Sequence, residues 1–123
     1  MKLRIDVHGL KPMQKKMLKA LDLSDLKPVV MRNTAQLQQK AQQKAPVSTE
    51  KTNPGGAHGQ LKRSILLTVN GLTGTVRATA DYAQYVELGT RFMDAQPYMM
   101  PALEEQGPVF LRDIKNTIAR KFK

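Results

Sequence analysis

Three carboxylates, Asp81, Glu87 and Asp94, lie close together in the stretch "DYAQYVELGTRFMD". A pair of such acids can run general acid/base chemistry when held at a defined separation, usually with one of them desolvated. The local pattern does not provide that. Asp81 closes a predicted strand, Glu87 sits in a predicted helical turn and Asp94 follows in a loop, so nothing sets them on one face. The two histidines are no better placed. His8 belongs to the first predicted strand, and His58 lies in a loop between Ala57 and Gly59 with no group near it in sequence to orient the imidazole. The chain has no cysteine, which removes thiolate metal sites and disulfides. An oxygen-only metal site would lack any EF-hand spacing, and there is no phosphate loop, zinc motif or nucleophile elbow. The residue types therefore point to a protein that is not an enzyme and takes no cofactor or metal. A small basic ribonuclease is the one enzymatic alternative.

Composition bounds what can surround those residues. A chain of 123 residues is expected to form one domain over 1–123, with a lean core. Aromatics make up 5% and tryptophan is absent, so Leu, Ile, Val, Ala and the seven methionines must fill the interior. The N-terminal segment "MKLRIDVHGL" alternates apolar and polar residues where a signal peptide would need an unbroken apolar run. No apolar run reaches the length of a membrane span, and cytoplasm is the expected compartment. Twenty Lys and Arg against ten Asp and Glu leave a formal charge of +10, which fits an acidic partner such as nucleic acid. No basic run exceeds the pair Lys15-Lys16, so the same balance also fits a surface of solvated cations.

The elements follow from periodicity. Leu3, Ile5 and Val7 alternate as in a strand. Leu10, Met13, Met17, Leu18 and Leu21 recur at helical spacing. From Ser24, a candidate N-cap, and Pro28, the residues Leu26, Val30, Thr34, Leu37, Ala41 and Ala45 draw a narrow stripe along a long helix that Pro46 ends. So thin a face must lie across a sheet or beside another subunit. Residues 46–60, "PVSTEKTNPGGAHGQ", carry no apolar period and are expected to be a mobile loop. Strands over about 64–69 and 75–80, joined through "NGLTG", form a hairpin in which Asn70 and Gly71 suit positive φ and Gly74 gives the return path freedom. In "YAQYVEL", Tyr82, Tyr85 and Val86 share a face that anchors the turn to the sheet, and Gly89 is expected to be left-handed. Pro97 and Pro101 bracket an extended "YMM" segment. Phe110, Ile114, Ile118 and Phe122 mark a C-terminal helix with Pro108 near its first turn. The class is α+β: a small antiparallel sheet with a central β-hairpin, packed by a long helix and a C-terminal helix.

Sequence-specific DNA reading would want a helix-turn-helix pattern, which the short connections do not make, and the hairpin has no aromatics on which bases could stack. Any DNA contact would be made by charge, through residues such as Lys15, Lys19, Arg112, Lys115 and Arg120.

Three ordered segments carry a resemblance. "GQLKRSI" contributes Gly59, Leu61, Lys62, Ser64 and Ile65; "YAQYVELGT" contributes Tyr82, Ala83, Tyr85, Val86, Glu87, Gly89 and Thr90; "AQPYMMPAL" contributes Ala95, Gln96, Pro97, Tyr98, Pro101 and Ala102. From about residue 30 onward the chain resembles the small tail-component or neck proteins of long-tailed bacteriophages and prophages. The resemblance implies a structural virion component of the head-tail junction or tail end, a tail-completion, tail-terminator or head-tail joining protein. It further implies a homo-oligomer, commonly a hexameric ring, around the DNA path. Connector or stopper and tail-tube proteins would be its partners, with no membrane involved, and the matching residues would be scaffold or subunit interface. Glu87 and Thr90 would satisfy backbone donors or bridge to an adjacent subunit. A basic nucleic-acid-binding protein without sequence preference is the alternative.

Overall fold

A computed structural model describes residues 2–5, 25–47, 59–92 and 94–121. Among them, three strands and two long helices carry the architecture: β1 (Lys2–Ile5), α1 (Lys27–Lys44), the helical turn α2 (Gln60–Arg63), β2 (Ile65–Asn70), β3 (Thr73–Ala78), the short helix α3 (Ala83–Leu88) and α4 (Met99–Lys121). The fold is α+β. Its antiparallel sheet has the order β1-β3-β2, so the second strand of the hairpin is the central one. Period-two alternation works as expected: Leu3, Ile5, Ile65, Val76 and Ala78 are buried while Lys2, Arg4, Leu66 and Arg77 are exposed.

The hairpin is tighter than its sequence indicates. Asn70 pairs with Thr73, which leaves a two-residue turn of Gly71 and Leu72. Gly71 has φ 62° and no described non-glycine residue has positive φ, the sign pattern of a II′ turn with glycine first. Asn70 therefore does not take the positive φ expected of it. Gly74, expected to give the return path freedom, sits inside a strand instead. It is a buried residue of β3, and a Cβ there would overlap Thr34 Oγ1 and lie 2.9 Å from Thr34 Cβ. Its lack of a side chain lets α1 approach the sheet.

Helix α1 lies across that sheet, and the stripe Leu26, Val30, Thr34, Leu37, Ala41 and Ala45 is buried throughout. Pro28 stands in its first turn, where a missing N–H costs nothing. Leu26 is the N-cap residue and makes no side-chain cap bond. Gln38 Nε2 donates to Ile65 O at 2.9 Å, fastening the helix to the start of β2. The other side of α1 packs on α4 through polar groups. Gln106 Nε2 donates to Asn33 Oδ1 and Gln36 Oε1, and Asn33 Nδ2 donates to Asp113 Oδ2 at 2.9 Å. At the far end Lys44 Nζ meets Glu105 Oε1 at 2.7 Å, and this hydrogen bond holds Glu105 below the usual carboxylate range.

Helix α4 overturns two expectations. It starts at Met99, so Met99 and Met100 are helical rather than extended, and Pro108 lies in its interior rather than near its first turn. Pro108 is exposed, and its ring leaves the Glu104 carbonyl without the usual intrahelical donor. Phe110, Ile114 and Ile118 form the buried stripe expected of them. The expected helix over 10–21, most of the 46–60 loop, Ser24, Val7, His8, His58, Lys15, Lys19 and Phe122 lie outside the described residues.

Candidate functional site

The segment from Ser64 to Met100 gathers most of the singled-out residues, and its centre is Glu87. An α-helix leaves the N–H groups of its N-cap and first three residues without intrahelical acceptors. For α4 these belong to Tyr98, Met99, Met100 and Pro101, and proline has none. Glu87 takes the remaining three: Tyr98 N–H and Met99 N–H donate to Oε1 at 3.1 and 2.7 Å, and Met100 N–H lies 3.4 Å from Oε2. Glu87 is 4% exposed. A buried anion thus meets the positive end of the helix dipole, the pairing that makes such burial tolerable. Glu87 thereby caps the start of α4, with three backbone donors on its two carboxylate oxygens.

Tyr98 completes the joint. Its ring is fully buried and its hydroxyl donates to Ala83 O at 3.2 Å, so α3 is held at both ends. Burial, with the nearby Glu87 charge and Tyr82 adding to it, pushes the Tyr98 phenol up to about 12. Gln96 N–H donates to Val86 O at 2.8 Å, which folds the intervening loop back on α3.

Which face of α3 looks inward differs from the sequence expectation. Ala83 and Glu87, four apart, are buried, with Val86 partly so. Tyr82 and Tyr85 are exposed, and they do not anchor the turn to the sheet. Leu88 at 73% and Phe92 at 84% exposure stand out further, and the Arg91 guanidinium lies 4.6 Å from the Phe92 ring centroid. Gly89 ends α3 with φ 78° and ψ 172°. The positive φ is as expected, but ψ puts it outside the left-handed helical well, in a region that is essentially glycine-only. Thr90 Oγ1 accepts the Phe92 N–H at 3.2 Å.

The first motif builds a second joint. Gly59 caps α2 with φ 77°, Leu61 is buried, and Ser64 Oγ donates to Leu61 O at 2.7 Å. The Ser64 carbonyl then accepts both the N–H and the hydroxyl of Thr79, at 3.0 and 2.9 Å. Gln96 and Pro97 are exposed, and Pro101 is half-buried in the first turn of α4.

The structure does not assemble Asp81, Glu87 and Asp94 into one environment, because Asp81 and Asp94 are exposed while Glu87 is buried and engaged. Among the described residues no group of His, Asp or Glu is arranged to hold a metal ion. Arg112, Lys115 and Arg120 are exposed on α4. Arg32, Asp113, Asn116 and Arg120 line an open cleft, where Arg32 lies 3.4 Å from Asp113 and Arg120 Nη2 3.4 Å from Thr117 Oγ1. Sequence reasoning missed Tyr98 as the partner of Glu87; the separation of eleven residues has no local periodicity to reveal it.

Among the described residues Glu87 is the one fully buried acid, and it caps the start of α4. The chain belongs to the HK97-gp10-like family, described as "Bacteriophage HK97-gp10, putative tail-component", whose model matches residues 11–89, well over half of the chain. The match takes in the "GQLKRSI" and "YAQYVELG" segments and ends before "AQPYMMPAL". No curated protein and no solved structure matches the chain. Membership makes it a bacteriophage tail component, of a family whose role is structural. No helix among the described residues is long and apolar enough to cross a membrane.

Proposed function

We propose that the protein is a ring subunit at the head-tail junction or tail end of a phage particle, completing the tail or joining it to the head around the DNA path. Family membership supports the tail, and one structural observation carries the assembly: α3 and the loop after it hold Tyr85, Leu88 and Phe92 out in solvent. Apolar side chains of this size, grouped in one segment, are the usual mark of a surface that another protein covers. The cap at Glu87 keeps that segment fixed on α4, so little ordering entropy is lost when it docks. Copies of this chain, and connector, stopper or tail-tube proteins, are the partners in this reading, and the virion is its location.

Two experiments test it. Electron microscopy of particles produced without the protein should show unjoined heads and tails, or tails of uncontrolled length. Solution mass, measured alone and with tail-tube or connector protein, should show a closed oligomer that Leu88→Ser and Phe92→Ser abolish. Normal particles in its absence, or assembly unaffected by both substitutions, would remove the reading.

A further inference from the structure

Strand β2 is an edge of the sheet, and its side chains differ from those of the rest of this basic chain. The order β1-β3-β2 leaves one long side of β2 without a neighbouring strand among the described residues. Asn70 and Thr73 flank the turn and pair with each other, so Leu66, Thr68 and Asn70 are the residues that exchange hydrogen bonds with β3. Thr79 N–H, donating to Ser64 O, continues the same phase. The N–H and C=O groups of Ile65, Leu67 and Val69 therefore point away from β3. At Ile65 the outward carbonyl is taken by Gln38 Nε2 at 2.9 Å and Gln42 Nε2 at 3.4 Å, both from α1. Among the described residues none hydrogen-bonds to the outward groups of Leu67 and Val69. Sheet edges are commonly guarded by lysine, proline or a bulge. Strand β2, ILLTVN, has none of these and runs in unbroken register with β3. In a chain of formal charge +10, it is a neutral strip at which two copies can approach without setting cations against each other.

We propose that β2 pairs with β2 of a second copy, antiparallel about a two-fold axis at Thr68. Unpaired backbone groups dictate an extended strand as the occupant, and β2 is self-complementary in this register. Leu67 and Val69 of one copy exchange backbone hydrogen bonds with Val69 and Leu67 of the other, through the groups that β3 and α1 leave open. On the outward face Thr68 stands opposite Thr68, a favourable cross-strand pair, and Leu66, 53% exposed, stands opposite Asn70. Lys62, which precedes β2, falls at the turn end of the other copy, where Gly71 and Leu72 carry no charge. A parallel pairing would instead bring Lys62 beside Lys62. The enlarged sheet ends at β1 on both sides, a strand of 4 residues that carries Lys2 and Arg4. The contact is isologous and uses none of Tyr85, Leu88 and Phe92, so it stands apart from the ring reading.

Disulfide cross-linking tests the pairing cleanly, since the chain has no cysteine of its own. Thr68→Cys and, as a control on the exposed face of β3, Arg77→Cys are oxidised under the same conditions, and dimer is followed on non-reducing gels. Thr68→Cys should cross-link about tenfold faster, because the paired strands hold its two Cβ atoms near disulfide distance. Sedimentation equilibrium of the cysteine-free protein should show a concentration-dependent dimer. Thr68→Lys opposes like charges at the axis and should weaken that dimer about fivefold or more. Equal cross-linking rates, wild-type association in Thr68→Lys, or a monomer at every concentration would overturn the inference. The double variant Leu88→Ser, Phe92→Ser separates it from the ring. Dimers that persist in that variant support β2 pairing whatever becomes of the ring, and dimers lost with it would assign the association to α3 and overturn the inference.

Discussion

Glu87→Gln keeps the side chain's length and changes its charge, so it isolates what the buried anion contributes to α4. Tyr98 and Met99 converge on one oxygen, Oε1, at 3.1 and 2.7 Å, and an amide oxygen can still accept both. Hydrogen bonds to a charged acceptor exceed neutral ones by about 1 kcal/mol each. The Met100 contact on Oε2, at 3.4 Å, would meet an NH₂ group and be lost; a bond that long contributes about 0.5 kcal/mol. The charge-dipole contribution, about 0.5–1 kcal/mol, overlaps with the charge assistance already counted. The net loss is about 2 kcal/mol, or about 8 °C in Tm for a domain of this size. Glu87→Ala should cost about 4 kcal/mol, since three donors lose their acceptor and a void opens beside Tyr98. Urea unfolding followed by far-ultraviolet circular dichroism measures both. A loss under about 0.5 kcal/mol for Glu87→Gln, or equal losses for the two variants, would refute the cap argument. If Glu87→Gln left stability and assembly intact yet abolished turnover of nucleic acid or peptidoglycan, the carboxylate would be catalytic.

Other substitutions probe the remaining joints. Gly74→Ala should destabilise by about 3 kcal/mol, because the new methyl group meets Thr34 on a helix that cannot retreat without unpacking its stripe; Thr34→Ala in the same chain should recover part of the loss, a coupling that a double-mutant cycle reads directly. Gly89→Val should cost about 3 kcal/mol in thermal unfolding, since a β-branched residue is strained at φ 78° and ψ 172°, and Gly89→Ala should cost nearly as much. The Tyr98 phenol, at about 12 in the folded protein, titrates about two units above its unfolded value near 10. Below pH 10 both states keep the proton and stability is unaffected by this group; from pH 10 to 12 the unfolded chain releases it first, so stability falls, by at most about 3 kcal/mol. Ultraviolet titration should show a phenolate step near pH 12 that Tyr98→Phe removes.

Local periodicity made α1, the sheet alternation and the α4 stripe legible, because each depends on neighbours within one element. Leu26, Val30, Thr34, Leu37, Ala41 and Ala45 could be read as one buried face from spacing alone, and all six are buried. The start of α4 was hidden for the opposite reason. Proline disfavours helical geometry in the residue before it, which argues for an extended Met100 ahead of Pro101. That preference loses to a cap supplied from Glu87, eleven to thirteen residues earlier, together with burial of Tyr98 and Met99. Gly74 was misread similarly: its need for a missing Cβ comes from Thr34, forty residues away in sequence, and no turn signal encodes it. The tyrosines show that residue type alone does not decide burial. Of three, only Tyr98 is interior, and its hydroxyl has a carbonyl waiting for it.

The cap also bears on how the exposed segment could serve assembly. Residues 83–88 form a helix too short to be stable by itself, and its inward contacts are small: Ala83, part of Val86, and the Glu87 carboxylate. What fixes α3 is therefore mostly its bonds to α4, from Tyr98, Met99 and Met100 to Glu87 and from the Tyr98 hydroxyl to Ala83. Leu88 and Phe92, which follow that joint in sequence, are exposed. A substitution at Glu87 should then loosen the presentation of Leu88 and Phe92 as well as the helix start, whereas Leu88→Ser should leave stability unchanged. The family match stops at Gly89, yet the donors that give Glu87 its purpose lie beyond it at 98–100. An acid held by the matched segment and a helix start supplied outside it form one mechanical unit, and its coupling can be measured: Glu87→Gln and Phe92→Ser should be non-additive in assembly while remaining additive in unfolding.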